Sequence, residues 1–458
     1  MTRFDPPGPL HGSLRPPADK SISHRAALIA AMAEGETRIE GYLDAADTRS
    51  TLDAVASLGA ELGTVATTVS VPAGVSPPPT PPPALSVRGV GLRGPRAAAI
   101  DVGNAGTLLR LLPGWLAGQD GGRWTLDGDD SIRQRPVDRI AAPLREMGAD
   151  LSCREDRLPP LEIAGAPLRG IEYELPVASA QVKSCLLFAG LMAEGETRVI
   201  EGHPSRDHTE RMLAAAGATI QRHGSTGADR VEAPYPPESD SRQSVTVRPA
   251  DRLEPGVIIV PADISSAAFF VVAALLVGGS EVSIRGVGLN PTRTGLLTIL
   301  ERMGAEIEVM AGGEEGGEPI GDLQVRASTL RATEVGGAEV PLAIDELPLV
   351  ALAACFAEGT TTIRDAAELR RKESDRIKTV TAALNALGGL VEPTDDGMVI
   401  AGQGGLRGGA IDSHGDHRIA MLGAVAGLAS REGVEVVGMD AAAVSYPGFE
   451  LDLASLLA

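Results

Sequence analysis

The sequence predicts an α/β protein built as two similar domains of three repeat units each, and three features point there. At 458 residues the chain exceeds what one hydrophobic core ordinarily serves. The string Met32-Ala33-Glu34-Gly35-Glu36-Thr37-Arg38 recurs letter for letter as Met192-Ala193-Glu194-Gly195-Glu196-Thr197-Arg198. Ala/Leu-rich stretches of helical length alternate throughout with short Thr/Val/Ile-rich ones of strand length.

Each copy opens on an apolar stretch such as Arg25 to Met32 or Ala267 to Leu276. Glycine ends that helix and a strand follows, as in the looser copies at Val277-Gly278-Gly279-Ser280 and Ala357-Glu358-Gly359-Thr360. A second helix then closes on a recurring step, seen at Leu58-Gly59-Ala60, Met147-Gly148-Ala149, Ala216-Gly217-Ala218, Met303-Gly304-Ala305 and Leu387-Gly388-Gly389. About six copies result, opening near Ser23, Asn104, Ser179, Ser265, Asp345 and Asp416. Their period is roughly 70–85 residues, longer than a solenoid repeat and enough for strands plus two helices. The proline run Pro77 to Pro83 reads as an exposed polyproline insertion rather than a domain boundary, because Leu85-Ser86-Val87 looks like the strand completing unit one. Composition also assigns Gly312 to Gly317 and Pro234 to Ser244 to loops.

The chain carries 41 Lys and Arg against 61 Asp and Glu, a formal net charge of −20. Such a surface repels phosphodiester backbones and anionic lipid, which argues against nucleic acid or membrane as a bulk partner. Cys153, Cys185 and Cys355 are too few for a disulfide framework and lack metal-type spacing. Cys185 and Cys355 lie in apolar runs and are expected to be buried thiols. Met1 to Leu14 has no apolar core of signal length, and no run reaches about 18 apolar residues. The expected compartment is the cytoplasm.

Against that acidic background, positive charge gathers beside Ser, Thr and Gly where helices should begin. Lys20-Ser21-Ile22-Ser23-His24-Arg25 leads into the first apolar helix, with Ser21 or Ser23 as candidate cap and the free N–H groups favouring an anion. Gly103-Asn104-Ala105-Gly106-Thr107 with Arg110 allows close backbone approach, and Arg133-Gln134-Arg135-Pro136 stiffens an Arg suited to bidentate binding. Ser179-Ala180-Gln181-Val182-Lys183-Ser184 is a further polar helix start, with Arg206-Asp207-His208 in the same unit. In Glu368 to Arg376, Lys372 and Arg376 are spaced to share one helical face, with Glu373 beside them. Asp345-Glu346 opens the apolar helix of unit five. In Ser413-His414-Gly415-Asp416-His417-Arg418 a helix cap at Asp416 fits better than a metal site. Singly, each has an ordinary meaning as a turn, a cap or a solvated charge. Together, equivalent helix starts in two facing domains would line a cleft for two small, multiply anionic ligands.

These residues, with Asn290-Pro291-Thr292-Arg293-Thr294-Gly295, resemble the 5-enolpyruvylshikimate-3-phosphate synthase family in order along nearly the whole chain. The resemblance implies three βαβαββ units per domain in an inside-out α/β barrel. It also implies a discontinuous domain 1 (1–19 plus 262–458), a domain 2 (20–261), and crossings near Asp19 and Pro261-Ala262-Asp263. It implies transfer of the carboxyvinyl group of phosphoenolpyruvate to the 5-hydroxyl of shikimate-3-phosphate, releasing phosphate, in the shikimate pathway. No cofactor and no metal are expected, and a monomer is. On that resemblance Lys20, Ser21, Arg25, Ser179, Ala180, Gln181, Arg206, Asp345 and Lys372 bind shikimate-3-phosphate, with Ser21 and Arg25 on its carboxylate. Lys20, Gly106, Arg135 and Gln181 take the phosphate of phosphoenolpyruvate, and Arg376 and Arg418 its carboxylate. Asp345, Glu373 and Lys20 are the expected proton-transfer groups.

Several positions depart from the family pattern. Val444-Ser445-Tyr446-Pro447 lacks a common Lys before the aromatic-Pro step, Ala180 stands where some members have Ser, and Glu368 where some have Asn. Gly106 keeps the small residue usually associated with glyphosate sensitivity, while Leu111 replaces a common Pro. UDP-N-acetylglucosamine carboxyvinyltransferase is the nearest alternative, but it typically has a catalytic Cys before its Arg-Pro step. Asp130-Ser131-Ile132-Arg133 has none. A non-enzymatic repeat scaffold would give no reason for charge to gather at helix starts.

Overall fold

The computed structural model describes residues 1–66, 83–224 and 242–457. Nearly all of the proline run and most of Pro234 to Ser244 lie outside the described residues. Five four-stranded sheets and one three-stranded sheet, all open, make up the β-structure among the described residues. In the unit of residues 98–164, Ala98–Asp101 runs parallel to Arg123–Asp127, and the hairpin Asp150–Arg154 with Leu158–Ala164 adds antiparallel to it. The helices Gly106–Ala117 and Asp138–Glu146 fill the two crossovers, giving βαβαββ.

Two units borrow their first strand from far along the chain. Val257–Ile259 pairs in parallel with Glu36–Glu40, and His11–Leu14 pairs in parallel with Glu281–Gly288. Between them the segments around Ala18 and Ala262 cross antiparallel, Asp19 N donating to Pro261 O at 2.8 Å and Asp263 N to Pro17 O at 2.8 Å. The sixth unit departs from the pattern. Gly409–Asp412 and Val434–Val437 are parallel, but Thr2–Phe4 takes the place of the hairpin. The chain after Val437 is helical instead, anchored where Tyr446 and Phe449 pack on Phe269 and Phe270.

The sheets face outward and apolar helices fill the interior. Ile264–Leu276 and Leu347–Phe356 are apolar on every side, so they bury every side instead of one stripe. Buried side chains form two separate cores, one drawn from residues 22–260 and one from Leu10, Leu14 and residues 264–456. The recurring Gly after each second helix has a structural cause. Gly59, Gly148, Gly217, Gly304 and Gly388 have φ of +109°, +102°, +92°, +96° and +92°, the left-handed helix terminus that glycine adopts without strain.

Gly312 to Gly317 is not a loop. Glu306–Glu315 and Glu318–Arg326 form a long hairpin through it, and only Gly316 and Gly317 turn, at φ +59° and +81°. Two consecutive positive φ values make the tight turn whose twist matches a hairpin, which composition alone reads as a loop. No helix among the described residues is long and apolar enough to cross a membrane.

Candidate active site

The site is assembled from helix starts. Asp19, not Ser21 or Ser23, caps the helix Lys20–Met32, its Oδ1 accepting from Ile22 N at 2.9 Å. Ser21 is already inside the first turn, and the Ser23 hydroxyl is turned to Leu43 N at 3.1 Å. That cap makes Lys20 the first helical residue, its Nζ paired with Asp47 at 3.0 Å. Ser179 caps Ala180–Gly190, accepting from Val182 N at 3.4 Å. Gln181, in that first turn, accepts from Arg110 Nη1 at 3.2 Å and donates to Thr107 at 3.3 Å. Gly106 opens its own helix directly against the Arg135 guanidinium: a Cβ there would stand 2.6 Å from Arg135 Nη1.

Glu368 to Arg376 is not one helix. A short 3-10 stretch, Ala367–Arg371, ends before Lys372, and a new helix, Arg376–Ala386, starts after the cap Asp375. Lys372 and Arg376 therefore do not share a helical face. They converge because the break turns both toward Asp345, with Lys372 Nζ at 3.0 Å and Arg376 Nη1 at 3.4 Å from Asp345 Oδ1. Asp375 as an N-cap is the local reason, since a capping Asp competes with helix continuation.

Asp345 is the junction of the two halves. Its Oδ2 accepts from Arg206 Nη2, and its backbone carbonyl accepts from Arg418 Nη1 at 3.0 Å. Arg206 Nη1 reaches the Ser21 hydroxyl at 3.5 Å, and Arg25 Nη1 the Ser21 carbonyl at 2.9 Å. On the other side of the gap Arg135 Nη1 lies 3.7 Å from Glu373, whose second oxygen accepts from Arg376 at 2.7 Å. Arg139 and Glu368 add a pair across the same gap at 3.4 Å. Asp416 caps its helix and holds Arg376 Nε at 2.9 Å and the Ser374 hydroxyl at 2.9 Å, while His414 stands exposed near Asp412.

Arg25 is the outlier. It is 2% exposed, and Thr209 and Ser184 hold its Nε and Nη2 at 2.7 and 2.9 Å. Burial lowers its pKa to about 10. Ala180 joins the same cluster through its carbonyl, which accepts from Ser184 at 2.6 Å. Sequence reasoning gave no role to Asp47, which orients Lys20, or to Glu346, which accepts from Arg418 at 3.4 Å. An acidic residue at the start of a helix, which both are, is their only local signal.

Burial alone would raise the carboxyls at the gap, yet surrounding cations win. Burial acts on Asp345 against Lys372, Arg206, Arg418 and Arg376, which together hold it well below the usual carboxylate range. Burial likewise acts on Glu373 against Arg376, Arg135 and Lys20, with the same outcome. His417 goes the other way: burial, then Lys20, push it down to about 3, so it stays neutral beside these cations. The gap thus holds two ionised carboxylates among Lys20, Arg135, Arg206, Lys372, Arg376 and Arg418. That arrangement can bind small dianions and, where a carboxylate loses its cations to a ligand, move a proton.

Known proteins are similar to this chain over nearly its whole length. Residues 4–453 match the family model described as EPSP synthase (3-phosphoshikimate 1-carboxyvinyltransferase). A 3-phosphoshikimate 1-carboxyvinyltransferase of Synechococcus sp. (strain RCC307) is 47% identical, covering 98% of this chain and 97% of that protein. One from Geobacillus kaustophilus is 48% identical, covering 98% of each. The solved structure of an EPSP synthase from Acinetobacter baumannii superposes with a TM-score of 0.81 at 39% identity, covering 99% of this chain and 97% of that one.

Proposed function

This chain belongs to the EPSP synthase family and carries its activity, and we propose that the gap between residues 20–261 and 262–458 carries out the transfer with Asp345 and Glu373 as its proton-transfer groups. The single observation that supports this most is Asp345, whose carboxylate draws Arg206, Lys372 and Arg376 and whose backbone carbonyl accepts from Arg418, so that cations from both halves meet at one residue.

Shikimate-3-phosphate would place its phosphate on Ser179, Arg206 and Lys372, and its carboxylate near Ser21 and Arg25, with Ala180 and Gln181 along the ring. Phosphoenolpyruvate would place its phosphate on Lys20, Gly106, Arg135 and Gln181, and its carboxylate on Arg376 and Arg418. Two multiply charged anions, each with a carboxylate and a phosphate, repel one another, so the paired cations supply both neutralisation and attacking geometry.

In the first step the 5-hydroxyl oxygen bonds to C2 of phosphoenolpyruvate while C3 takes a proton. In the second, C3 returns a proton as the C–O bond to phosphate breaks. Asp345, near the acceptor, would take the hydroxyl proton. As found it is too acidic for that role. A substrate phosphate drawing Lys372 and Arg206 away would raise its basicity on binding. Lys20 and Glu373, which act on each other electrostatically, would handle the proton at C3. Closure of residues 1–19 plus 262–458 onto 20–261 would exclude water from the adduct.

The protein is proposed to act as a cytoplasmic monomer. The test is phosphate release from phosphoenolpyruvate with shikimate-3-phosphate, run beside UDP-N-acetylglucosamine as competing acceptor. Release is expected only with shikimate-3-phosphate; release only with the sugar nucleotide would overturn the assignment.

A further inference from the structure

The turn Asn290–Thr294 takes no part in the transfer as described, yet it touches the neighbour of three groups that do. Asn290 Nδ2 donates to Asp207, beside Arg206, at 2.7 Å and to Glu318 at 2.8 Å. Its own Oδ1 accepts from Thr292 N at 2.9 Å and from the Thr292 hydroxyl at 2.7 Å, which fixes the turn. Arg293, 3% exposed, sends Nη1 to Asp19, beside Lys20, at 3.2 Å and Nη2 to Asp263 at 3.3 Å. These are the two segments that cross between the halves. The same Nη2 donates to the Ser265 hydroxyl, which donates in turn to Glu346 Oε1. Glu346, 1% exposed and adjacent to Asp345, accepts from Arg418 Nη1 at 3.4 Å on that same oxygen.

We propose that Arg293 is a positioning residue: through Ser265 and Glu346 it fixes Arg418, and so the carboxylate end of phosphoenolpyruvate, relative to the two crossing segments. This rests on the reading of Arg418 as a carboxylate-binding group. Two buried carboxylates converge on one guanidinium and a third is reached through the Ser265 hydroxyl, an arrangement that seldom stabilises a fold better than apolar packing would. Its geometry has a more specific meaning. Asp19 caps the helix that begins with Lys20, and Asp263 caps the helix that carries Ser265, so the fork of Arg293 holds both helix starts at once. The chain of donors then ends on the Glu346 oxygen, where it meets Arg418 arriving from the substrate side. A planar fork suits this task, because it pairs with two acidic groups and a hydroxyl in one fixed plane, which a lysine cannot do.

The test compares Ser265→Ala, Arg293→Lys, Arg418→Lys and the double variant S265A/R418K. KM for phosphoenolpyruvate, Kd for shikimate-3-phosphate and thermal midpoint are measured for each. Ser265→Ala removes the relaying hydroxyl and leaves every charge paired, so it carries the test even if Arg293→Lys fails to fold. It is expected to melt like the parent, to raise KM for phosphoenolpyruvate about tenfold, and to leave shikimate-3-phosphate affinity within about twofold. In the Arg418→Lys background the same change is expected to add little. A parental KM for phosphoenolpyruvate in Ser265→Ala, or an equal rise with and without Arg418, would overturn the proposal. An unchanged KM in Arg418→Lys itself would remove the reading of Arg418 on which the proposal stands.

Discussion

Arg206 and Asp345 come from stretches of chain that build different cores, and they meet as an ion pair between them. The carboxylate is the counter-charge for four cations, so removing its charge has two effects. Asp345→Asn is expected to lower turnover by about two orders of magnitude. It should also expand the ligand-free protein in small-angle scattering, because Arg206 and Lys372 lose the counter-charge that they share across the two halves, whereas Arg376 keeps Asp416 and Glu373 and Arg418 keeps Glu346. Near-normal turnover would remove Asp345 from the proton-transfer role.

Glu373 pairs with Arg135 at 3.7 Å and accepts from Arg376, but Arg376 keeps its two bonds to Asp416 when Glu373 is neutralised. Glu373→Gln should therefore melt near the parent temperature while kcat falls about a hundredfold. A matching loss in both, with kcat restored wherever the fold is restored, would mark Glu373 as structural.

Gly106→Ala inserts a methyl 2.6 Å from Arg135 Nη1 and 3.2 Å from Arg110 Nη1. Both are ends of flexible side chains, so the fold survives and Arg135 moves. KM for phosphoenolpyruvate is expected to rise severalfold, with shikimate-3-phosphate affinity nearly unchanged. An unchanged KM would place the phosphate elsewhere.

Stability should fall on mild acidification. His24 is fully buried against Thr51, and burial lowers its pKa from 6.5 to about 4. The unfolded chain takes up that proton near pH 6.5 and the folded chain does not, so stability falls with pH across this window, by about 3 kcal/mol in full. His417, lowered to about 3, adds in the same direction. Denaturant midpoints measured from pH 7 to 4 should decline, and less steeply for His24→Gln. Equal slopes would show that His24 is protonated in the folded state.

The sequence was legible where one local cause sets one feature. Left-handed glycine termini repeat because every second helix must stop and turn, and that spacing exposes the units. Helix-start cations are visible because charge is conspicuous beside apolar runs. Choices between neighbouring candidates were not legible. Asp19, Ser21 and Ser23 all suit a cap, and only the chain path through Pro17 and Pro261 selects Asp19. Lys372 and Arg376 have helical spacing, yet Asp375 restarts the helix between them. Gly312 to Gly317 has loop composition, but a partner strand recruits most of it. Asp47 and Glu346 act only through residues brought near by tertiary structure, so nothing local distinguishes them from ordinary helix-start acids.

The borrowed strands also impose an order on biosynthesis. Residues 20–260 can assemble their whole core, including the edge strand Val257–Ile259, as soon as that stretch has left the ribosome. The other core cannot do so: His11–Leu14 and Thr2–Phe4 precede that stretch but pair only with Glu281–Gly288 and Val434–Val437, which follow it. His11–Leu14 must wait, unpaired, until Glu281–Gly288 is made and Thr2–Phe4 until Val434–Val437 is, and the second half folds by capturing them.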